Sequence, residues 1–396
     1  MALQYINEAD ILDKRVIARF DFNVPLKDGE ITDTTRIDRA LPTIKYILEN
    51  GAKTLVLMSH LGRPKGKANM DYSLEPVATY IANLLGQEVV LSESCTDRGI
   101  KTLQTLSQTK IILLQNLRFH PEEESGDIEF AKTLASYGDI YVNDAFGTSH
   151  RKHASTYQIN HFFKNKAYGG LLLEQEITAL NKVVGKPAKP FIAIVGGAKV
   201  SDKIKIVESL LVSVNELIIG GAMAYPFLKA KGYQVGKSLC SDDDVALAKL
   251  LLKADTGNKI VLPLDHVTSL EFGGAPIDCD NINIPEDQMA LDIGPNTIQL
   301  YSEKLRQGKT ILWNGPMGAF ENKAYANGTF SVAKVLAQLT GTFTLIGGGD
   351  SVSAINQSGL ADKIDHISTG GGASLEYIEN GSLPGIQALK FGLDLS

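Results

Sequence analysis

Arginine is concentrated early in this 396-residue chain: eight of the nine arginines lie within the first 151 residues and only Arg306 follows. The planar guanidinium group suits phosphate and carboxylate. Several arginines and other polar residues stand at or just after the ends of β-rich segments: Asp21, Asn23, Arg36, His60, Arg63, Arg118 and Arg151. Because strand ends of one sheet converge in space, this pattern predicts a site for a small polyanion.

The second half of the chain places glycine where its β-rich segments end. In TLIGGGDSVSAI (344–355) an apolar run stops at three glycines, which allow backbone N–H groups to approach a ligand closely. Four other segments end in the same way: FIAIV into GGAKVSDK, ELIIG into GAMAY, TILWNG into PMGAF, and HIST into GGGAS. Five such endings indicate a nucleotide site. Asp350 could either cap the following helix or hold a metal ion.

Lys199 and Lys203 lie four residues apart in GGAKVSDKIKIVESLL. That spacing predicts that both side chains share one face of a helix that opens directly after a glycine turn. Cations are unfavourable at a helix N-terminus because of the helix dipole. An anionic ligand bound nearby would resolve that conflict.

Motifs of several other enzyme classes are missing. The fragments GKS (236–238) and GKT (308–310) lack the first glycine of a P-loop, and no GxGxxG turn follows an early strand, which argues against a nicotinamide dehydrogenase. No spacing of His, Cys, Asp and Glu suggests a tightly bound transition metal. The cysteines, Cys95, Cys240 and Cys279, are too few and too dispersed for a disulfide framework.

Strands that alternate with helices along the chain would bring the candidate site residues together. Candidate strands in the first half are 16–24, 54–60, 89–92, 111–119 and 139–146, with helical patterns between them. The alternation predicts an α/β fold with two doubly wound, mainly parallel, Rossmann-like domains. A helical pattern, LLLEQEITALNKVV (171–184), ends at GKPAKP and predicts a joining helix and hinge.

Net charge and the N-terminal sequence argue against several further classes of protein. The formal charge of −6 argues against a general nucleic-acid or membrane-surface binder. The N-terminus, MALQYINEADILDKR, lacks the apolar core of a signal peptide, and no apolar run is long enough to span a bilayer. We therefore expect a soluble cytoplasmic protein.

Taken together, the segments resemble phosphoglycerate kinase over nearly the whole chain. The segments that carry the resemblance are RFDFNVP (19–25), SHLGRP (59–64), NLRF (116–119), NDAFGTSHRKHAS (143–155), GGAKVSDKI (196–204), WNGPMGAFE (313–321), GGGDS (347–351) and STGGGASLE (368–376). The resemblance implies a monomeric, hinge-closing enzyme that moves a phosphoryl group between 1,3-bisphosphoglycerate and ADP, giving 3-phosphoglycerate and ATP, with Mg²⁺. It implies a 3-phosphoglycerate domain at 1–170, a joining helix at 171–185, a nucleotide domain at 186–375, and a segment 376–396 that packs back on the first domain.

The resemblance also implies roles for single residues. The implied substrate residues are Asp21, Asn23, Arg36, His60, Arg63, Arg118 and Arg151, and the implied nucleotide residues are Lys203, Gly294, Asn314, Glu321, Gly348, Gly349, Asp350 and Ser351. Asp350 matches the metal-associated aspartate. Arg36, Lys199 and the N–H groups of Gly349 and Gly372 match the groups that hold the migrating phosphoryl. The chain departs from the family pattern at Phe20, Gln115, Ala222, Pro226 and the pair Ser351–Val352, without loss of a charged group assigned to chemistry.

The implied reaction explains why no nucleophile–base constellation appears. The acceptor is a phosphate oxygen or a carboxylate, and both are already deprotonated at neutral pH. On this interpretation His60, His150 and His153 are hydrogen-bond donors or basic-patch residues rather than catalytic bases. The alternative is a non-catalytic, two-lobed binding protein for an anionic metabolite, which accounts for the arginines but not for the glycine-rich strand ends.

Overall fold

A computed structural model describes residues 2–393 of the chain. The described residues divide into two compact units, one formed by the residues up to Thr178 together with those from Ser382 onward, the other by Ala179–Gly381. The sequence places the limits at 170, 185 and 375 instead. Residue 1 and residues 394–396 of the predicted terminal segments lie outside the described residues. No helix within 2–393 is long and apolar enough to cross a membrane.

The first unit is built on a six-stranded parallel sheet with the order β5-β6-β4-β1-β7-β8. Its strands, including a separate antiparallel hairpin of β2 and β3, are β1 Arg15–Arg19, β2 Leu26–Lys27, β3 Glu30–Ile31, β4 Thr54–Met58, β5 Val89–Leu91, β6 Ile111–Leu113, β7 Ile140–Asn143 and β8 Ala167–Gly169. The central strands β4, β6 and β7 are buried along their whole length, as expected for apolar runs covered on both faces.

Helices connect these strands, and the longer ones bury apolar residues. They are α1 Thr35–Glu49, α2 Glu75–Leu85, α3 Gly99–Leu103, α4 Pro121–Ser125 and α5 Ile128–Ala135. In α1 the buried positions Ile37, Ala40, Ile44 and Ile47 recur at helical spacing and join the core cluster of this unit. The next helix, α6 Leu171–Val184, coincides with the predicted joining helix, and the division between the units falls within it.

The second unit contains a second six-stranded parallel sheet, with the order β11-β10-β9-β15-β16-β17, and a three-stranded antiparallel sheet with the order β13-β12-β14. The strands are β9 Phe191–Val195, β10 Glu216–Ile219, β11 Ile260–Val261, β12 His266–Ser269, β13 Ile277–Cys279, β14 Met289–Ile293, β15 Thr310–Asn314, β16 Phe343–Ile346 and β17 His366–Ile367. The predicted fold class, α/β with two mainly parallel sheets, is confirmed.

The helices of the second unit are α7 Ile204–Ser213, α8 Ala224–Ala230, α9 Asp242–Ala254, α10 Pro295–Leu305, α11 Asn327–Gln338, α12 Gly349–Ser358 and α13 Gly372–Asn380. The last helix, α14 Pro384–Phe391, belongs to the first unit, where Gly385 N–H donates to the Ser149 carbonyl at 2.8 Å.

Each parallel sheet reverses its strand order at one point. In the first unit the chain adds β4 on one side of β1 and later β7 on the other side. In the second unit β10 and β15 flank β9 in the same manner. Ligands of open α/β sheets bind beyond the carboxyl ends of strands at such a reversal. The residues that follow β1, β4 and β7, and those that follow β9 and β15, are therefore the first to be considered as site residues.

Two sequence interpretations are wrong in detail. The segment with Lys199 and Lys203 was expected to be helical throughout, but α7 begins only at Ile204, with Lys203 as its N-cap residue and Lys199 in the preceding loop. The two lysines therefore do not share a helix face. The segments predicted as strands at 16–24 and 111–119 are also shorter, ending at Arg19 and Leu113, because the following polar residues form loops and a short 3₁₀ turn.

Asp144, which follows β7, ties the end of the sheet to the start of α6. Its buried Oδ1 accepts a hydrogen bond from Leu173 N–H at 2.9 Å, while Oδ2 is buried without a hydrogen-bond partner. Burial, opposed only in part by hydrogen bonds, raises the pKa of Asp144 to about 6.

The raised pKa of Asp144 makes stability depend on pH. With an unfolded pKa of about 3.9 the contribution of Asp144 is fully present below about pH 4 and decreases as pH rises through about 6. We expect the free energy of unfolding of the wild type, relative to that of Asp144→Asn, to fall by roughly 3 kcal/mol between these limits. Urea unfolding of both proteins from about pH 4 to about pH 7 measures this difference in the free energy of unfolding. A difference that does not depend on pH would contradict the raised pKa of Asp144.

Candidate functional site

The predicted substrate residues lie beyond the carboxyl ends of β1, β4, β6 and β7 in the first unit. Asp21 and Asn23 follow β1, His60 and Arg63 follow β4, Arg118 lies in the 3₁₀ turn Leu117–Phe119 after β6, Arg151 follows β7, and Arg36 lies in the first turn of α1.

Asp21, Arg36 and His60 form the first cluster. Arg36 Nη1 donates to Asp21 Oδ1 at 2.9 Å, and His60 Nδ1 lies 4.0 Å from the same oxygen. Burial alone would raise the pKa of Asp21, but its neighbours His60, Arg36 and Arg19 hold it below its ordinary value. Asp21 is therefore a carboxylate that holds the Arg36 guanidinium at the sheet edge.

Asn23 and Arg118 form a second cluster around the loop after β4. Asn23 Oδ1 accepts from Gly62 N–H at 2.8 Å, and Arg118 Nη1 donates to the Gly62 carbonyl at 2.8 Å. Glu124 Oε1 lies 3.3 Å from Arg118 Nε. Burial lowers the pKa of the Arg118 guanidinium, and the charge of Glu124 opposes that shift. Asn23 and Arg118 thus fix the same loop from opposite sides.

Arg151 and Arg63 are less constrained. Arg151 Nε donates to His150 Nε2 at 3.2 Å, and the Arg151 charge contributes to the lowered pKa of Arg118, so these two arginines are neighbours. Arg63 is exposed, and within residues 2–393 no hydrogen bond or ion pair joins its side chain to the others. The edge of the first sheet therefore combines several fixed cations with one exposed arginine, an arrangement suited to a small polyanion.

An apolar cleft of about 420 Å³ lies in the second unit, beside the glycine-rich ends of β9 and β15. Its walls include Tyr225, Leu239, Phe272 and Met289. Predicted residues Glu321 and Asp350 also line it, and both are exposed. Apolar walls with a few polar groups at one end suit a planar base attached to a charged group.

Lys203 and Asn314 connect the ends of three strands next to this cleft. Lys203 Nζ donates to Asn314 Oδ1, and Asn314 Nδ2 donates to the Gly347 carbonyl at 2.8 Å. Burial lowers the pKa of Lys203, while the charges of Asp350 and Asp202 oppose this. Since Asn314 is fully buried, it holds the lysine and the first glycine of GGGDS in a fixed relation.

The two triple glycines each lead into a helix. Gly349 is the first residue of α12 and Gly372 the first of α13, so their N–H groups have no acceptor one turn earlier in the helix. Ser351 Oγ accepts from Gly315 N–H at 2.5 Å, which attaches α12 to the loop after β15. Both helix starts are ready to donate to an anion.

Gly294 and Lys199 are placed differently from the other predicted residues. Gly294 is the N-cap of α10 and does not line the cleft; a Cβ there would lie 2.4 Å from the carboxyl carbon of Asp265, which explains the glycine structurally. Lys199 is exposed in the loop after β9. Burial raises the pKa of Asp244, but hydrogen bonds from Ser241 and Ser201, and to a lesser extent the charge of Lys199, hold it below its ordinary value. Lys199 therefore stays a prediction supported only by its place in this loop.

Several cleft residues were not predicted. Lys237, Leu239, Phe272 and Met289 come from the antiparallel sheet and the segments next to it. Strand β12 spans only four residues and has polar residues on both faces, so it lacks the alternation that predicts a strand. Strand β13 spans three residues, which is too short for a pattern to be recognised. In the sequence, the aromatic Phe272 followed by two glycines was the available signal.

Most of the chain matches one protein family. Residues 6–381 match the family described as Phosphoglycerate kinase. The chain belongs to the phosphoglycerate kinase family. The phosphoglycerate kinase of Moorella thermoacetica is 50% identical over 394 residues, covering 98% of this chain and 99% of that protein. That of Anaeromyxobacter dehalogenans is 49% identical over 398 residues, covering 98% and 100%.

Solved structures of the family agree with the fold. The phosphoglycerate kinase structure from Coxiella burnetii has a TM-score of 0.89 at 37% identity and covers 98% of both chains. The structure from Pyrococcus horikoshii has a TM-score of 0.81 at 32% identity, covering 98% of this chain and 99% of that chain. Family membership makes this chain a kinase of the phosphotransferase class with a carboxyl acceptor.

The donor set fits a magnesium ion only together with a nucleotide. Among residues 2–393 no group of three or more His, Cys, Asp and Glu side chains could hold a metal alone. Mg²⁺ is commonly bound through one or two carboxylates plus substrate phosphates. Asp350, exposed on the first turn of α12 and lining the cleft, can supply such a carboxylate.

Proposed function

We propose that this chain catalyses reversible phosphoryl transfer from 1,3-bisphosphoglycerate to ADP, giving 3-phosphoglycerate and ATP in glycolysis. The observation that carries the proposal is the arrangement at the second sheet, where Lys203, Asn314 and the Gly347–Gly349 turn adjoin an apolar cleft. Together with the cationic edge of the first sheet, this accounts for two anionic reactants.

In this proposal the first unit binds the glycerate. Arg36, Arg118, Arg151 and exposed Arg63 face the phosphate and carboxylate groups, and Asn23 and Asp21 hold the loop and the arginine in place. Burial lowers the pKa of His60 well below its ordinary value, which supports a neutral hydrogen-bond donor there. The second unit binds the nucleotide through Lys203, Asn314, Glu321 and Gly348–Ser351, whereas the predicted contact of Gly294 has no support beyond the family resemblance.

The chemistry requires positioning and charge stabilisation rather than proton transfer, because both acceptors are already anionic. Arg36, Lys199 and the N–H groups of Gly349 and Gly372 stabilise the negative charge of the migrating phosphoryl. Transfer between separately bound anions requires that the units bring them together with water excluded, so we propose hinge closure as part of each turnover.

Mg²⁺, monomeric state and cytoplasmic location complete the proposal. Mg²⁺ would arrive with the nucleotide, be held by Asp350, and neutralise charge across the phosphates when bound. The reactants are small molecules, and the proposal includes neither a nucleic-acid nor a membrane partner. Size-exclusion chromatography with light scattering tests the monomeric state.

A coupled assay with 3-phosphoglycerate, ATP and Mg²⁺ tests the function. We expect saturable turnover that depends on all three components and reverses with 1,3-bisphosphoglycerate and ADP. Binding of 3-phosphoglycerate without any turnover would favour the non-catalytic binding protein. Turnover with NADH in place of ATP would contradict the proposal outright.

Replacement of Asp350 tests whether this residue serves the nucleotide site alone. We expect Asp350→Asn to weaken Mg·ADP binding about tenfold, since one charge-assisted contact is lost. Binding of 3-phosphoglycerate stays unchanged because Asp350 belongs to the second unit. Isothermal titration calorimetry with each ligand measures both.

Asp202→Asn is the matched control, because Asp202 also acts on Lys203 but does not line the cleft. Equal Mg·ADP affinity in the Asp350→Asn protein and the wild type would show that Asp350 does not hold the metal ion.

A further inference from the structure

Arg19, at the end of β1, is a buried arginine outside the set of predicted site residues. Its side chain is 1% exposed. Nε donates to Ser155 Oγ at 2.8 Å, Nη1 donates to the Phe20 carbonyl, and Nη2 lies 3.2 Å from Nδ1 of His60. All three nitrogens of the guanidinium therefore have a partner, and one partner is a residue of the candidate substrate site.

Glu123 holds the other side of this arginine. Glu123 is fully buried, and its Oε1 lies 4.0 Å from Arg19 Nη2. The same carboxylate accepts from Ser155 Oγ at 2.6 Å and from Ser155 N–H at 3.0 Å. Ser155 thus donates to Glu123 and accepts from Arg19, so the guanidinium has one fixed position beneath the site.

The contact with Arg19 sets the hydrogen positions of His60. Arginine is always protonated and can only donate, so Nδ1 of His60 must accept with its lone pair. The oxygen of Asp21 that could accept a hydrogen from Nδ1 is 4.0 Å away, outside hydrogen-bond distance. The ring hydrogen is then on Nε2, which makes no hydrogen bond within residues 2–393.

We propose that Arg19 is a positioning residue that holds His60 as a neutral imidazole with its hydrogen on Nε2, so that His60 donates to an oxygen of the bound glycerate. The proposal deepens the proposed function and rests on it. Arg19 itself is too deeply buried to touch the substrate. Its effect passes through His60, whose ring it orients and whose second tautomer it excludes.

Burial and the neighbouring charges also favour the neutral form of His60. Burial lowers the pKa of His60 well below its ordinary value, and the charges of Arg19, Arg118 and Arg36 add to the shift against the opposing charge of Asp21. A hydrogen on Nδ1 would also point at the Arg19 guanidinium. The histidine can therefore donate to an anion without exchanging a proton with it.

NMR of the unmodified protein tests the tautomer without any risk of misfolding. The protein is labelled with ¹⁵N-histidine, and the His60 resonances are assigned by their loss in His60→Gln. We expect Nδ1 to show the shift of an unprotonated nitrogen and Nε2 that of a protonated nitrogen, unchanged between about pH 5 and pH 8. A hydrogen on Nδ1, or an imidazolium in this range, would overturn the proposal.

Kinetics test whether Arg19 acts through His60. Arg19→Lys keeps a cation beside Glu123 but cannot hold three partners at once. We expect the KM for 3-phosphoglycerate to rise about tenfold, with the KM for ATP unchanged. In a His60→Gln background the same substitution should change the KM for 3-phosphoglycerate by less than about twofold.

A purely structural role for Arg19 would raise the KM equally in both backgrounds, which would refute the coupling. Arg15→Lys is the control, because Arg15 lies on the same strand but pairs with Asp139. Failure of the proposed function is distinguishable: the wild type would then show no turnover of 3-phosphoglycerate and ATP, whatever the state of His60. Turnover with uncoupled Arg19 and His60 would refute this inference alone.

Discussion

Arg36→Ala lowers kcat by about 10²–10³-fold, the cost typical of removing one group that stabilises transition-state charge. Arg36 lies in the first turn of α1, and its guanidinium is aligned by Asp21 at 2.9 Å. The loss appears in kcat at saturating substrate, because the interaction strengthens as the phosphoryl group moves.

The same substitution leaves folding nearly intact. The Arg36 side chain is 38% exposed, and its pair with Asp21 is accessible to solvent on that side. Partly exposed ion pairs contribute about 0–1 kcal/mol, so the free energy of unfolding should change by no more than that. A large loss of activity with a small loss of stability distinguishes a catalytic role from a structural one.

Steady-state kinetics with both substrates saturating, together with urea unfolding, measures the two quantities. Arg39→Ala is the matched control, since Arg39 lies on the same helix, one turn further on, and is exposed. We expect its kcat to stay within about twofold of the wild type. Turnover of Arg36→Ala near the wild-type rate would show that Arg36 has no catalytic role.

The two parallel sheets were predictable because their strands are short apolar runs separated by helical patterns. The runs FIAIV and TLVLM are buried at every position, as their composition indicates. The antiparallel sheet β12–β14 was missed because two of its strands are short and carry polar residues. A strand such as HVTS, with mixed polarity, has no period by which to find it.

The candidate site was predictable only where backbone geometry forces residues together. Polar residues after β1, β4 and β6 converge because the carboxyl ends of parallel strands share one edge. Contacts such as Arg19 with His60, or Asn314 with Gly347, depend on side-chain positions that no sequence pattern encodes. The prediction of a helix through Lys199 was wrong because the turn residues Ser201–Lys203 precede the start of α7.

Gly348→Ala should weaken Mg·ATP binding by about 10- to 100-fold, since it removes one or two charge-assisted hydrogen bonds from the site. Gly348 has φ of +90°, and a Cβ there would lie 2.6 Å from Nδ2 of Asn314. Asn314 would have to leave the Gly347 carbonyl, and Lys203, which donates to the same amide, would lose its position. Binding of 3-phosphoglycerate should not change, because these residues belong to the second unit.

Backbone strain alone would also destabilise this variant, so the control must reproduce the strain without the collision. Gly359 ends the same helix, α12, with φ of +70°, and a Cβ there meets nothing within 4 Å. Alanine costs about 1–2 kcal/mol at Gly359, which has the left-handed helical conformation, and about 1–3 kcal/mol at Gly348, where ψ is 139°. Gly359→Ala should therefore lose similar stability and yet bind Mg·ATP like the wild type in calorimetry. Equal binding by both variants would mean that the Asn314 contact does not organise the nucleotide site.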